Sequence, residues 1–156
     1  MIFAFFGQPC SGKTTLCKHF FGYIKKNLPI KCHYMDGDKF RYIFSNKDYS
    51  REGRLKNLKL ACDVAHYEHS LNDIVLMSFV FPYKEVRDYL REQNLNVIFI
   101  YLEYFPEIDK RGREEYHVED FDIPEVDEVE LILNTTAMDE ARCFELILNT
   151  YKTHIK

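Results

Sequence analysis

Side chains and backbone suited to phosphate chemistry cluster at the start of this chain. Gly7-Gln8-Pro9-Cys10-Ser11-Gly12-Lys13-Thr14 fits the pattern G-x-x-x-x-G-K-[ST], follows the apolar run Ile2-Phe3-Ala4-Phe5-Phe6, and is followed by Thr15 and a helix-type segment. A glycine-bearing loop between a strand and a helix turns several backbone N–H groups onto one point, backed by the positive end of the helix dipole. In such a loop Lys13 reaches the β- and γ-phosphates of a nucleoside triphosphate and the Thr14 hydroxyl sits on Mg²⁺. A chance match in a surface loop would lack the strand before it and the helix after it.

A second constellation is Asp36-Gly37-Asp38 with Arg41 close behind. Two carboxylates at the carboxyl end of a strand suit metal and proton work: one holds Mg²⁺ through water, the other accepts a proton from an attacking hydroxyl. An ordinary Asp-Gly turn is the plainer alternative. The strand-type run Ile74–Val80 carries no aspartate of the Walker-B kind, so the metal carboxylate must come from elsewhere, and the spacing leaves open which aspartate is the base. Arg54 and Asn57 are three residues apart, share a helix face and can reach one bound group. Arginine grips phosphate or sulfate oxygens bidentately, although the cation-rich stretch from Arg51 to Lys59 also reads as a solvated face. In Ser78-Phe79-Val80-Phe81-Pro82-Tyr83, the aromatic rings are candidates for stacking on a substrate base, with core packing the better reading for Phe79. Cys62, His66 and His69 share a helical face. Three positions along one helix rarely converge on zinc, so core-edge histidines are expected.

The elements that must position these groups follow from periodicity. Five apolar runs (Ile2–Phe6, Cys32–Met35, Ile74–Val80, Val97–Leu102 and Glu130–Asn134) alternate with helix-type segments. Such runs mean a parallel sheet covered on both faces, an α/β architecture. The first helix starts at Lys13 and buries Leu16, Phe20, Tyr23 and Ile24. Another runs from about Arg51 to His69, burying Leu55, Leu58, Ala61, Cys62 and Ala65, and a shorter one spans Lys84–Gln93. The last, from Met138 to about Tyr151, buries Ala141, Phe144, Leu148 and Tyr151, with Thr136-x-x-Asp139 as its capping signal. Each βα turn then opens on the sheet edge where such folds bind ligands.

The bulk numbers bound the classes. The 156 residues suit a single domain, 46% of them are hydrophobic, and the net charge of −4 argues against a general nucleic-acid binder. The five-residue apolar start leads straight into the loop, so no signal peptide is expected, and no apolar run approaches a membrane span. Five cysteines without a C-x-x-C fit reduced thiols. A cytoplasmic enzyme is the expectation.

In order along the chain, GQPCSGKTTL, MDGDKFR, DYSREGRLKN, SFVFPYKEVRDYLR and FIYLE resemble the motifs of the adenylylsulfate kinase family of P-loop kinases. The resemblance implies a single-domain P-loop kinase fold with a five-stranded parallel sheet and helices on both faces. It further implies ATP and Mg²⁺, transfer of the γ-phosphoryl group to the ribose 3′-hydroxyl of a nucleotide acceptor, adenylylsulfate by default, and a homodimeric state common among relatives. Carried over by motif, Gly7 to Thr15 hold the ATP phosphates. Asp36 and Asp38 take the paired acidic positions, and Arg41, Arg54 and Asn57 grip the acceptor. Tyr49 stands where a base-stacking Phe is usual. Two departures bear on the acceptor: Phe81 replaces a serine, and the usual lid gives way to a short charged segment within about 106–122. Arg111 and Arg113 of that segment are the candidate lid cations on the transferring phosphate. Adenylylsulfate in sulfate assimilation is therefore one expectation. Another activated nucleotide, such as a cytidine diphosphoramidate used in surface-polysaccharide modification, is a second, and an inactive nucleotide-binding module is a third.

Overall fold

The computed structural model describes residues 1–94, 96–105 and 117–155. Five parallel strands, β1 (Ile2–Gly7), β2 (Cys32–Asp36), β3 (Ile74–Ser78), β4 (Val97–Glu103) and β5 (Leu131–Asn134), lie in the order β2-β3-β1-β4-β5. Between and after them run α1 (Lys13–Asn27), α2 (Gly37–Ile43), α3 (Arg51–Leu71), α4 (Lys84–Gln93) and α5 (Glu140–His154). β1 is central, so the loop that leaves it stands midway along the carboxyl edge of the sheet.

Every residue of β1 is buried, and alternation divides them between two cores. Ile2, Ala4 and Phe6 pack with Met77, Phe99, Ala61, Cys62, Val86 and Leu90 beneath α3 and α4. Phe3 and Phe5 pack with Leu16, Phe20, Ile24, Ile100, Cys143 and Ile147 beneath α1 and α5. Burial on both faces is why these strands read as continuous apolar runs.

The structure differs from the sequence expectations at several ends. β3 stops at Ser78, because the chain then bends: the Val80 carbonyl accepts from the Gly7 amide at 3.3 Å, and Phe81 takes a left-handed φ of 42°. α5 begins at Glu140 and is capped by Asp139, whose side chain accepts from the Arg142 amide at 2.8 Å. The Thr136 hydroxyl instead accepts from the Phe105 amide at 2.9 Å. The buried stripe of α5 is Cys143, Ile147 and Tyr151; Phe144 and Leu148 are half-buried and Ala141 is exposed. Tyr23 and Leu55 are likewise half-buried. Helix α2 had no periodic signal, being only seven residues with one buried side chain, Phe40.

No helix among the described residues is long and apolar enough to cross a membrane.

Candidate active site

The phosphate loop uses its glycines for space and for backbone conformation. A Cβ on Gly7 would lie 2.4 Å from the Leu102 carbonyl oxygen of the neighbouring strand, and Gly12 enters α1 at a φ of 95°. Both demand glycine. Cys10 adopts a left-handed φ of 65° between them. The first amides of a helix have no carbonyl behind them, and the first bond inside α1 runs from the Leu16 amide to the Gly12 carbonyl at 3.0 Å. The loop is tied down from both sides. Thr135, just past β5, donates its hydroxyl to the Ser11 carbonyl at 2.8 Å. The buried Gln8 carboxamide turns away from the loop mouth, accepting from the Val118 amide at 2.9 Å and donating to the Val118 carbonyl at 2.8 Å. Its backbone remains in the loop.

Lys13 is folded back over this loop. Its ammonium donates to the Gln8 carbonyl at 2.6 Å and lies 3.4 Å from the Ser11 hydroxyl. Burial lowers its pKa to about 8, although the charges of Asp38, Cys10 and Asp36 act to raise it.

Asp36 ends β2 and caps α2, its Oδ1 accepting from the Lys39 amide at 3.0 Å. Its Oδ2 accepts from the Thr14 hydroxyl at 3.3 Å and from the Tyr34 phenol at 3.0 Å. Burial raises the Tyr34 pKa above its ordinary value, so the phenol stays a donor. Ser78, the register partner of Asp36 on β3, lies 3.3 Å from the Thr14 hydroxyl. Asp38 follows in the first turn of α2. Among the described residues its carboxylate has no hydrogen-bond or ion-pair partner, and its charge acts on both Lys13 and Arg41.

The segment between α2 and α3 shapes the far wall. The half-buried Arg41 guanidinium donates to the Asn46 Oδ1 at 3.0 Å and the Asp48 carbonyl at 3.1 Å, and it covers the Tyr49 ring at 4.3 Å. Burial, with Arg54 nearby, lowers its pKa against the opposing pull of Tyr49, Asp48 and Asp38. Tyr49 is 54% exposed. Arg54 is half-buried beside the Tyr83 hydroxyl. Asn57 is only 4% exposed, and its Oδ1 is buried with no hydrogen-bond partner. An orphaned buried acceptor is a cost that a hydrogen-bond donor reaching it would relieve.

Other expected residues lie elsewhere. Phe81 is fully buried against Phe79 and Phe99, and Phe79 packs on Phe40, so both rings are core and neither is offered to a substrate. Val80 is half-buried, with its carbonyl on Gly7. Arg111 and Arg113 lie outside the described residues. Within the expected lid, residues 117–122 are fastened down: Asp120 accepts from Tyr83 at 3.2 Å and from Arg51 at 3.1 Å, and Asp122 accepts from the Lys84 amide at 2.9 Å. Cys62 is buried, and His66 bonds the Asn94 carboxamide at 2.8 Å. Among the described residues no group of three or more His, Cys, Asp or Glu side chains is placed to hold a metal.

On the opposite flank of the loop is a cleft of about 300 Å³, lined by Ser11, Gly12, Thr15, Thr135, Met138 and Cys143 among others. The loop therefore stands between a cleft on the β5 side and a wall of aspartate and arginine on the β2 side. Sequence reasoning missed Tyr34, Ser78 and Thr135. Alternation along β2 places Tyr34 on the same side as Asp36, which is the signal that would have found it.

A strand, anion-binding loop and helix at the centre of a parallel sheet, with a carboxylate opposite the loop threonine, define a P-loop α/β protein. The family model for adenylylsulphate kinase matches residues 1–117, and the chain belongs to that family. Cytidine diphosphoramidate kinase of Campylobacter jejuni is 34% identical over 103 residues, covering 62% of this chain and 56% of that protein. Adenylyl-sulfate kinase of Penicillium chrysogenum is 31% identical over 88 residues, covering 55% of this chain and 41% of that protein. The chain spans about half the length of the curated relatives it matches. The structure of Mycobacterium tuberculosis APS kinase in complex with AMPPNP and APS superposes with a TM-score of 0.80 over 97% of this chain and 96% of that one. At 16% identity that similarity concerns the fold.

Proposed function

We propose that the chain is an ATP-dependent kinase that transfers the γ-phosphoryl group to the ribose 3′-hydroxyl of an activated nucleotide, with adenylylsulfate as the default acceptor. The observation that carries this reading is Asp38. It is a carboxylate with no hydrogen-bond or ion-pair partner among the described residues, beside the buried ammonium of Lys13 and close to Arg41. A carboxylate so placed takes the proton of an acceptor hydroxyl as that hydroxyl attacks. Asp36, with both oxygens already engaged, is left to the metal side.

Thr14, Asp36 and Ser78 offer only hard oxygen donors, which suits Mg²⁺. Bound there, Mg²⁺ would neutralise charge on the phosphates. The loop amides cradle the phosphates, and Lys13 exchanges the Gln8 carbonyl for phosphate oxygens. The cleft beside Thr135 and Met138 takes the donor's base. Across the loop, Arg41 and Arg54 hold the anionic part of the acceptor, Tyr49 offers a ring face to its base, and the Asn57 Oδ1 accepts from one of its donors.

A second reading keeps the reaction and changes the acceptor to a cytidine diphosphoramidate. The Campylobacter jejuni relative named for that substrate favours it, as does Phe81, which fills with core the place where the family has a serine. The test is ADP release with adenylylsulfate, cytidine diphosphoramidate and plain nucleoside diphosphates as acceptors. Turnover far above the ATPase background with one acceptor identifies the substrate. ATP binding with no acceptor-stimulated turnover would leave a nucleotide-binding module and overturn the kinase reading.

A further inference from the structure

Asp36 is held by more than the helix it caps. The carboxylate torsion of an aspartate is soft, with broad, roughly two-fold minima. The cap fixes Oδ1, while Oδ2 is shared between the Thr14 hydroxyl at 3.3 Å and the Tyr34 phenol at 3.0 Å. Ser78 completes a closed set of four oxygen atoms, lying 3.3 Å from Thr14 Oγ1 and 3.4 Å from Tyr34 Oη. Those four groups come from the start of α1, from β2 and from β3, and only Asp36 carries a charge.

A hydroxyl that gives a lone pair to a cation must direct its single proton away from it, towards an acceptor. Asp36 Oδ2 is the acceptor in place for Thr14. Tyr34 can hold that oxygen firmly because its ring is rigid and leans on Phe21 at 5.9 Å. Ser78 ends the strand that lacks a Walker-B aspartate. It puts a neutral hydroxyl where a second carboxylate would repel Asp36.

We propose that Tyr34, together with Ser78, is a positioning residue for the metal side of the phosphoryl-transfer site. Its phenol holds Asp36 Oδ2 opposite Thr14, so that the carboxylate serves the metal-bearing threonine rather than the acceptor's proton. This inference rests on the kinase reading and assigns work to two side chains for which the motifs provide no role.

The experiment is titration calorimetry of ADP into the full chain, with excess chelator and again with saturating Mg²⁺. The ratio of the two affinities measures how strongly the site couples metal to nucleotide. Tyr34→Phe is expected to cut that ratio roughly tenfold, the effect of one hydrogen bond to a charged group, with affinity in chelator unchanged. Ser78→Ala is expected to cut it by less, and Ser78→Thr to restore it. The double variant should lose less than the two single losses combined, since Ser78 bonds the Tyr34 phenol itself. In turnover, Tyr34→Phe is expected to raise the Mg²⁺ concentration at half-maximal rate. A folded Tyr34→Phe with undiminished coupling overturns the inference. Should that variant not fold, the Ser78 pair decides by the same ratio. A parent chain that binds ADP with no metal dependence overturns the kinase reading itself, a different result from the loss of coupling in a variant.

Discussion

The side chain of Gln8 bonds both backbone polar groups of Val118, accepting from its amide at 2.9 Å and donating to its carbonyl at 2.8 Å. A residue inside the phosphate loop thus fastens the loop to the chain 110 positions downstream. Both bonds are buried, so neither group can turn to water instead. Gln8→Ala strands a buried donor and a buried acceptor, and is expected to cost about 2–4 kcal/mol of stability. Gln8→Glu keeps the acceptor but buries a charge with its second oxygen against the Val118 carbonyl, so it should cost at least as much. Denaturant unfolding of the two variants checks the order; equal stability of Gln8→Ala and the parent would refute it.

The two aspartates divide by their partners, and conservative amides separate them. Asp38→Asn removes the proposed base and should lower kcat by roughly 10²–10⁴-fold while ADP affinity with Mg²⁺ is kept. Asp36→Asn still caps α2, because Asn caps about as well as Asp. Its stability should hold while Mg²⁺-dependent nucleotide affinity falls. Calorimetry beside turnover distinguishes the two, and the reverse pattern would exchange the assignments.

The buried ammonium of Lys13 gives a pH dependence with a definite sign. Its pKa falls from 10.5 to about 8 on folding, with burial as the main cause. Between those values the unfolded chain holds more protons than the folded one, so this group's contribution to stability rises with pH across that window. Binding of a nucleotide's β-phosphate should restore the charge and take up a proton. ADP titrations near pH 8.5 in buffers of different ionisation enthalpy should show net uptake, absent in Lys13→Met. Affinity should decline as pH climbs past about 8.

Gly53 sits against the loop that carries Tyr49 and holds the guanidinium of Arg41. An added Cβ would lie 2.2 Å from the Asp48 Cγ and 2.6 Å from its backbone oxygen. Asp48 itself accepts from the Arg41 guanidinium through that oxygen, at 3.1 Å. Gly53→Ala is expected to cost about 1–3 kcal/mol by overpacking. It should also raise the KM for the acceptor several-fold while the KM for ATP is kept. Steady-state kinetics with each substrate varied in turn tests that asymmetry.

The parts of this fold that were legible are those with strong periodicity or a fixed spacing. The loop from Gly7 to Thr14, helix α1, helix α4 and the parallel sheet follow from continuous apolar runs and one motif. Helix α2 was not legible, because seven residues with a single buried side chain leave no stripe to read. On α5 the expected Tyr151 is buried and Phe144 and Leu148 lie half-buried against the core, but Cys143 takes the buried position expected of Ala141, since both suit it by type. At the site, the paired aspartates and the arginines stand out by type. Tyr34 and Ser78 do not, because hydroxyls at strand ends acquire meaning only when the register of β2 on β3 brings them together. Phe81 illustrates the converse: an aromatic residue near a site was open to two readings, and a left-handed backbone turned it into the core.

The strand order has a consequence for how this fold can diversify. The cleft assigned to the donor's base is built by residues near the two ends of the chain, Ser11 to Thr15 and Thr135 to Cys143. The wall assigned to the acceptor is one unbroken stretch, from Asp38 to Asn57, at the other margin of the sheet. An ancestor could exchange that stretch in one recombination event and inherit a new clientele of acceptors with its ATP-handling parts untouched. Relatives alike in the loop need not share a metabolic trade.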